Sequence, residues 1–125
     1  MKKALIFCFV LFSLYACHEP KIISIKTISQ EEFSKLDLNT IQLLDVRTPA
    51  EVDHGLIDGA VEVNFFDEDF AQQVLSKFDK SKPLYIYCAV GGRSGKACSQ
   101  LVLEGFREVY NLKGGYNEWI KNQKQ

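Results

Sequence analysis

A chain of 125 residues that is 46% hydrophobic can hold one domain with a modest core. Its formal charge of −1 turns more negative once an N-terminal stretch carrying Lys2 and Lys3 is removed, which excludes nucleic acid as the partner. The four cysteines, at positions 8, 17, 88 and 98, contain no Cys-x-x-Cys pair and do not make a disulfide framework.

Met1-Lys2-Lys3 and the apolar run after it, broken only by Ser13, read as the basic region and hydrophobic core of a signal peptide over residues 1–16. The run is shorter than the ~20 residues a membrane-spanning helix needs. Cys8 inside it is one more apolar residue. Leu14-Tyr15-Ala16-Cys17 resembles the bacterial lipobox, whose cysteine is lipidated and becomes the first residue of the mature protein. Ordinary cleavage after Ala16 wants a small residue at position 14, so Leu14 favours the lipoprotein over simple secretion or an uncleaved anchor. The expectation is a lipidated Cys17, a short tether through residue 21 and a domain over 22–125. Several acyl chains on Cys17 hold a protein stably on a membrane where one is marginal. This puts the domain in a bacterial cell envelope, on the periplasmic or outer-membrane side, and not in the cytoplasm.

Within the domain, Ile22–Lys26 reads as a strand, rich in β-branched residues. Ser29-Gln30-Glu31-Glu32 predicts a capping box that opens a short helix through Phe33 and Leu36. Ile41–Leu44 is a second strand, ending at Asp45, and its unbroken apolar run predicts burial on both faces, as in a parallel sheet. Thr48-Pro49-Ala50-Glu51 starts a helix, with threonine at the cap and proline in the first position. Val61–Asn64 alternates as a short third strand. Phe66–Phe78 has helical spacing, with Phe66, Phe70, Val74, Leu75 and Phe78 forming a core stripe. Lys80–Pro83 is a turn, and Leu84–Tyr87 is the fourth strand. A helix from about Ser94 to Leu103 is stopped by Gly105 in a left-handed conformation. Cys98 falls on its apolar side as a small buried hydrophobe; the functional alternative is a resolving thiol for Cys88. Val109–Leu112 is the last strand. Strands alternating with helices predict a parallel α/β sheet with helices on both faces. Its ligand crevice lies beyond the carboxyl ends of the strands, where Asp45 and Cys88 stand.

The fourth strand runs directly into Cys88-Ala89-Val90-Gly91-Gly92-Arg93-Ser94, and a helix follows. Glycines at 91 and 92 let the backbone curl so that several N–H groups converge on one spot, and the helix N-terminus adds partial positive charge there. Thiols in such settings have pKa values brought down from roughly 8.5 into the ~3.5–7.5 range, so Cys88 is a nucleophile without needing a histidine. Arg93 completes a Cys-x4-Arg cradle with a fork of donors suited to an oxyanion.

Cys88, Gly91, Arg93 and Ser94 match the Cys-x-x-Gly-x-Arg-Ser of single-domain rhodanese-like sulfurtransferases, which this chain resembles. The related cysteine phosphatases use Cys-x5-Arg, a longer loop for a larger anion; here that count lands on Ser94. The resemblance continues in Asp45-x-Arg47 with an acid, Glu51, four residues on, and in Gly114-Gly115 followed by Trp119 in a short terminal helix. It implies for Asp45, Arg47 and Glu51 either support of the loop by ion pairing or contact with substrate, the structural job being favoured. Gly55-Leu56-Ile57-Asp58-Gly59-Ala60 departs from the family's Gly-His-Ile-x-Gly-Ala at Leu56. His54, two places earlier, is not needed as a base for persulfide chemistry.

The resemblance implies a rhodanese-like three-layer sandwich with a mostly parallel five-stranded sheet. It also implies a thiosulfate sulfurtransferase-like enzyme working by ping-pong through a Cys88 persulfide. Ala89, Val90, Gly91, Gly92, Arg93 and Ser94 would bind the substrate. Its partners are a small sulfur donor such as thiosulfate, a thiol or cyanide acceptor, and a thiol redox protein; no metal or organic cofactor is implied. The alternative is a non-catalytic, envelope-anchored module of the same fold that binds a partner or senses sulfur.

Overall fold

In the computed structural model, which describes residues 22–125, strand and helix alternate along the chain. The order is β1 (Ser24–Ile28), α1 (Gln30–Ser34), β2 (Gln42–Asp45), α2 (Pro49–Val52), β3 (Val61–Glu62), α3 (Phe70–Lys77), β4 (Leu84–Tyr87), α4 (Gly92–Leu103), β5 (Glu108–Leu112) and α5 (Gly115–Gln123). The expected signal peptide and Cys17 lie outside the described residues. Among the described residues no helix is long and apolar enough to cross a membrane.

The sheet has the order β1-β5-β4-β2-β3. Every pairing is parallel, so the sheet is wholly rather than mostly parallel. Parallel strands need crossovers, and the helices that make them cover both faces. Alternation along each strand divides the core in two. Leu44, Leu84, Ile86, Cys88 and Val109 pack with Phe70 and Val74 of α3 and Ala97, Cys98 and Leu101 of α4. Leu43, Tyr87 and Leu112 face the other way, toward Phe33 of α1 and Trp119 and Tyr116 of α5. Because β4 is central and buried on both sides, the loop that leaves its end starts from a rigid point.

Local chemistry sets the element ends. Ser29 and Glu32 form a reciprocal capping box on α1, and Thr48 and Glu51 form another on α2. Gly105, at φ 107°, ends α4 in a Schellman motif, its amide on the Val102 carbonyl and that of Phe106 on the Leu101 carbonyl.

Several expected boundaries move. β1 starts two residues late because Ile22 and Ile23 precede the pairing with β5 and stay exposed. Strand pairing in β3 stops at Glu62, although the Val63 and Phe65 amides continue onto the Asp45 and Val46 carbonyls. Helix α3 starts at Phe70 and not at Phe66. The Asn64 side chain takes the Phe66 amide and its carbonyl takes that of Asp67, which holds this stretch in turns. Phe65 then packs against the core in place of Phe66, which is 65% exposed. Helix α4 starts two residues early, at Gly92.

Candidate active site

Cys88 follows β4 at the carboxyl edge of the sheet, and the chain turns back over its sulfur. The Gly91 amide donates to Cys88 Sγ at 3.0 Å. Gly91 makes this turn at φ 109°, a left-handed conformation that costs any other residue about 1–2 kcal/mol. Gly92 plays no part in the turn itself, since it is the first residue of α4, with an ordinary helical backbone and open space where a Cβ would stand. Burial pushes the Cys88 thiol up, but hydrogen bonds from the Ser94 hydroxyl and the Ser94, Gly91 and Val90 amides outweigh it. The thiol ends below its ordinary value, as the nest geometry predicts.

Ser94 Oγ, fully buried, lies 3.3 Å from Cys88 Sγ and 2.6 Å from Asn111 Oδ1. One hydroxyl proton serves one acceptor at a time. Asn111 is held by its other end, where Nδ2 donates to the Gly91 carbonyl at 3.1 Å. A strand residue of β5 therefore braces the turn that presents Gly91 to the sulfur. Asn111 did not stand out in the sequence; the available signal was a polar residue in a strand flanked by apolar ones, where a buried amide needs partners.

The turn into α5 supports the loop from the other side. The Tyr116 amide donates to the Cys88 carbonyl (2.8 Å) and the Asn117 amide to that of Ala89 (3.1 Å). Gly115, at φ 58°, makes the close approach possible, since a Cβ there would stand 2.4 Å from the Cys88 carbonyl oxygen. Gln30 fixes the same turn by donating Nε2 to the Lys113 and Gly115 carbonyls.

The charges at this end of the sheet are paired. Asp45, at the end of β2, holds the Arg47 guanidinium through Nε at 3.0 Å and Nη2 at 2.6 Å, both side chains buried. Arg47 Nη2 also donates to the Gly55 carbonyl, and its guanidinium carbon lies 3.9 Å from the Tyr116 ring centroid. Burial works against the Arg47 charge, and the bonds to Asp45 outweigh it and hold the guanidinium above its ordinary value. Glu51 reaches from α2 to Arg93, with Nη1 to Oε2 and Nη2 to Oε1 both at 2.7 Å. Arg93 brings the Glu51 carboxyl down to about 2, against some burial and with help from the Thr48 amide and hydroxyl. So Asp45, Arg47 and Glu51 all meet partners here, and Arg93 faces Glu51.

Cys98 lies fully buried in the α3–α4 half of the core, and burial pushes its thiol up to about 12. Both Cys88 and Cys98 are free. A thiol so hard to ionise is poorly suited to resolve a bond at Cys88. His54 is exposed after α2, and the Gly55 carbonyl takes its hydrogen bond from Arg47. Among the described residues no cluster of His, Cys, Asp and Glu could hold a metal ion.

This arrangement is a nucleophile without a base: a thiol whose ionised form the loop itself stabilises. Residues 29–122 match the family model for the rhodanese-like domain. The chain belongs to the rhodanese-like domain family. It is 40% identical over 88 residues to thiosulfate sulfurtransferase 16, chloroplastic, of Arabidopsis thaliana, covering 63% of this chain and 73% of that one. To the thiosulfate sulfurtransferase GlpE of Shewanella oneidensis it is 31% identical over 97 residues, 77% of this chain and 93% of that one. The crystal structure of a rhodanese-like domain protein from Staphylococcus aureus superposes with a TM-score of 0.65 at 31% identity, over 75% of this chain and 90% of that one. A tRNA uridine(34) hydroxylase of Nitrobacter winogradskyi also matches over part of its length, 40% identical over 83 residues, 63% of this chain and 32% of that one.

Proposed function

We propose that this rhodanese-like protein is a sulfurtransferase that carries sulfane sulfur on Cys88. The supporting observation is the Cys88 sulfur under the Gly91 amide and the Ser94 hydroxyl, with its thiol below the ordinary value. The Cys88 thiolate attacks the outer sulfur of a donor such as thiosulfate. A Cys88 S–S bond forms, the donor's S–S bond breaks, and its electron pair leaves with sulfite. The terminal sulfur keeps the negative charge that the thiolate brought, where loop amides and the α4 N-terminus stabilise it. A thiolate or cyanide acceptor then attacks that sulfur and returns the thiolate to Cys88. The first product leaves before the acceptor binds, so the kinetics are ping-pong.

The N-terminal reading belongs to the same proposal: a lipid on Cys17 tethers the domain to a bacterial envelope membrane, where its acceptor is a thiol of that compartment. Mass analysis of the membrane-extracted protein for acyl chains on Cys17 tests the tether. For the reaction, thiocyanate formation from a sulfane donor and cyanide should give parallel double-reciprocal lines and vanish in Cys88→Ser. Thiocyanate formation that persists in Cys88→Ser rejects the assignment.

A further inference from the structure

The edge of the sheet opposite Cys88 combines exposed apolar side chains with exposed cations. Ile22, 80% exposed, and Ile23 lead into β1, where the Ser24 amide donates to the Arg107 carbonyl at 2.9 Å. The Arg107 amide in turn donates to the carbonyl of Lys80, in the turn that enters β4. Leu103, 87% exposed, is the last residue of α4, which runs back from the Cys88 loop to this edge. Ile22, Ile23 and Leu103 therefore share the amino edge of the sheet with Lys80, Lys82 and Arg107, all exposed. Lys77, at the end of α3, adds another cation. Of the nearby acids, Asp79 accepts from the Ser81 amide and hydroxyl, Glu108 is bonded to Tyr110 and paired with Lys26, and Glu104 is half-buried. Asp37 and Asp58 lie in the loops that enter β2 and β3, on the far side of the sheet from β1. In a chain whose formal charge is −1, this excess of cations is local.

We propose that this amino edge is a membrane-docking face, which lies on anionic phospholipid and holds Cys88 on the side away from the bilayer. This rests on the Cys17 tether proposed above and adds an orientation to it. Five Cα steps separate Cys17 from Ile22, at most roughly 18 Å of chain, so a lipid on Cys17 keeps Ile22 and its neighbours close to the headgroups. There the apolar side chains leave water, and each cation is attracted to the anionic surface. Cys88 stands five residues past Pro83, roughly 17 Å along β4 from the turn that carries Lys80 and Lys82, so its loop opens to water. Sulfur donor and acceptor then reach Cys88 from solution and not from the lipid phase.

The test uses the protein extracted from membranes, its lipid on Cys17 checked by intact mass, and adds it to vesicles of phosphatidylethanolamine and phosphatidylglycerol. Lysine acetylation by a water-soluble succinimidyl ester is then read residue by residue by peptide mass analysis, on vesicles and in neutral detergent. Lys80 and Lys82 should react more slowly on the vesicles by about fivefold or more, since each basic residue at an anionic surface alone favours the docked state by about that factor. Lys96 and Lys113, exposed toward the Cys88 end, should change less than about twofold, because docking leaves them in water. Ile23→Glu with Leu103→Glu, both at exposed positions, should restore the Lys80 and Lys82 rates while the protein keeps its lipid and stays on the vesicles. Equal rates on vesicles and in detergent, from protein that is lipidated and retained, overturn the docking face and leave the tether standing. Slowing of all four lysines alike overturns the orientation. Protection that is present in detergent and grows with protein concentration assigns the face to a second copy of the chain and overturns the proposal too. A protein that carries no lipid on Cys17 overturns tether and docking face together, and sulfur loading on Cys88 stands apart from either result.

Discussion

Gly115→Ala should separate α5 from the Cys88 loop, while Gly92→Ala, inside the loop motif, should do little. A Cβ at 115 would meet the Cys88 carbonyl oxygen at 2.4 Å and the Ala89 carbonyl oxygen at 2.6 Å, both backbone atoms that cannot swing aside. Relief means moving the α5 turn away, which breaks the Tyr116-to-Cys88 and Asn117-to-Ala89 hydrogen bonds. Each is worth about 1 kcal/mol, and the left-handed backbone at φ 58° adds about 1 kcal/mol more for alanine. The expected destabilisation is about 3 kcal/mol, a fall in Tm of more than ~10 °C for a domain of this size. Gly92 opens α4 with no positive φ and open space around a Cβ, so alanine there should be neutral or stabilising by up to ~1 kcal/mol. Urea unfolding gives the stabilities, and the ultraviolet absorbance of the thiolate titrates Cys88 in the same samples. If Gly115→Ala is within about 1 kcal/mol of wild type and its Cys88 titration does not move, α5 does not hold the loop.

Alkylation of Cys88 by iodoacetamide should rise with pH and level off below the range of an ordinary thiol, because the folded thiol is lowered. Ser94→Ala should shift that inflection upward, because the thiolate loses the Ser94 hydroxyl. Asp45→Asn leaves Arg47 charged and buried without its partner and should cost about 3–5 kcal/mol in urea unfolding, with Arg47→Leu in the same background recovering part of it. The Glu51 carboxyl is depressed from 4.5 to about 2, so its stabilisation is present above pH ~4.5 and lost as pH falls toward about 2. Discounted for solvent, it amounts to about 1 kcal/mol. Acid titration of Glu51→Gln should show a correspondingly flatter loss of stability in that window, and an unchanged slope would contradict the ion pair.

What the sequence makes legible here is local. The Cys88 turn, both capping boxes and the Gly105 stop each depend on residues close together in the chain, and each stands in the structure. The parallel α/β architecture follows from apolar runs too continuous for one-sided burial. Contacts across the sheet are another matter. Asn111 meets Ser94 from 17 residues away, Gln30 reaches Gly115 across 85, and Glu51 finds Arg93 across 42. No spacing rule links such pairs, because the fold and not the chain sets their separation. Glu51 shows the consequence: its place at the start of α2 and an ion pair that supports the loop were readable, but Arg93 as its distant partner was not. Phe66 shows how periodicity misleads, since a helical stripe counts any aromatic at the right interval, while a single Asn64 side chain can keep that stretch in turns.

Sulfur loading on Cys88 is decided most simply by the intact mass of the reduced full chain after exposure to sulfane donors, beside Cys88→Ser. A gain of one sulfur atom is expected on the parent protein, absent from Cys88→Ser and removed by cyanide. Folded protein with Cys88 free that gains no sulfur from thiosulfate or from an organic persulfide would mean that Cys88 is not a sulfur carrier.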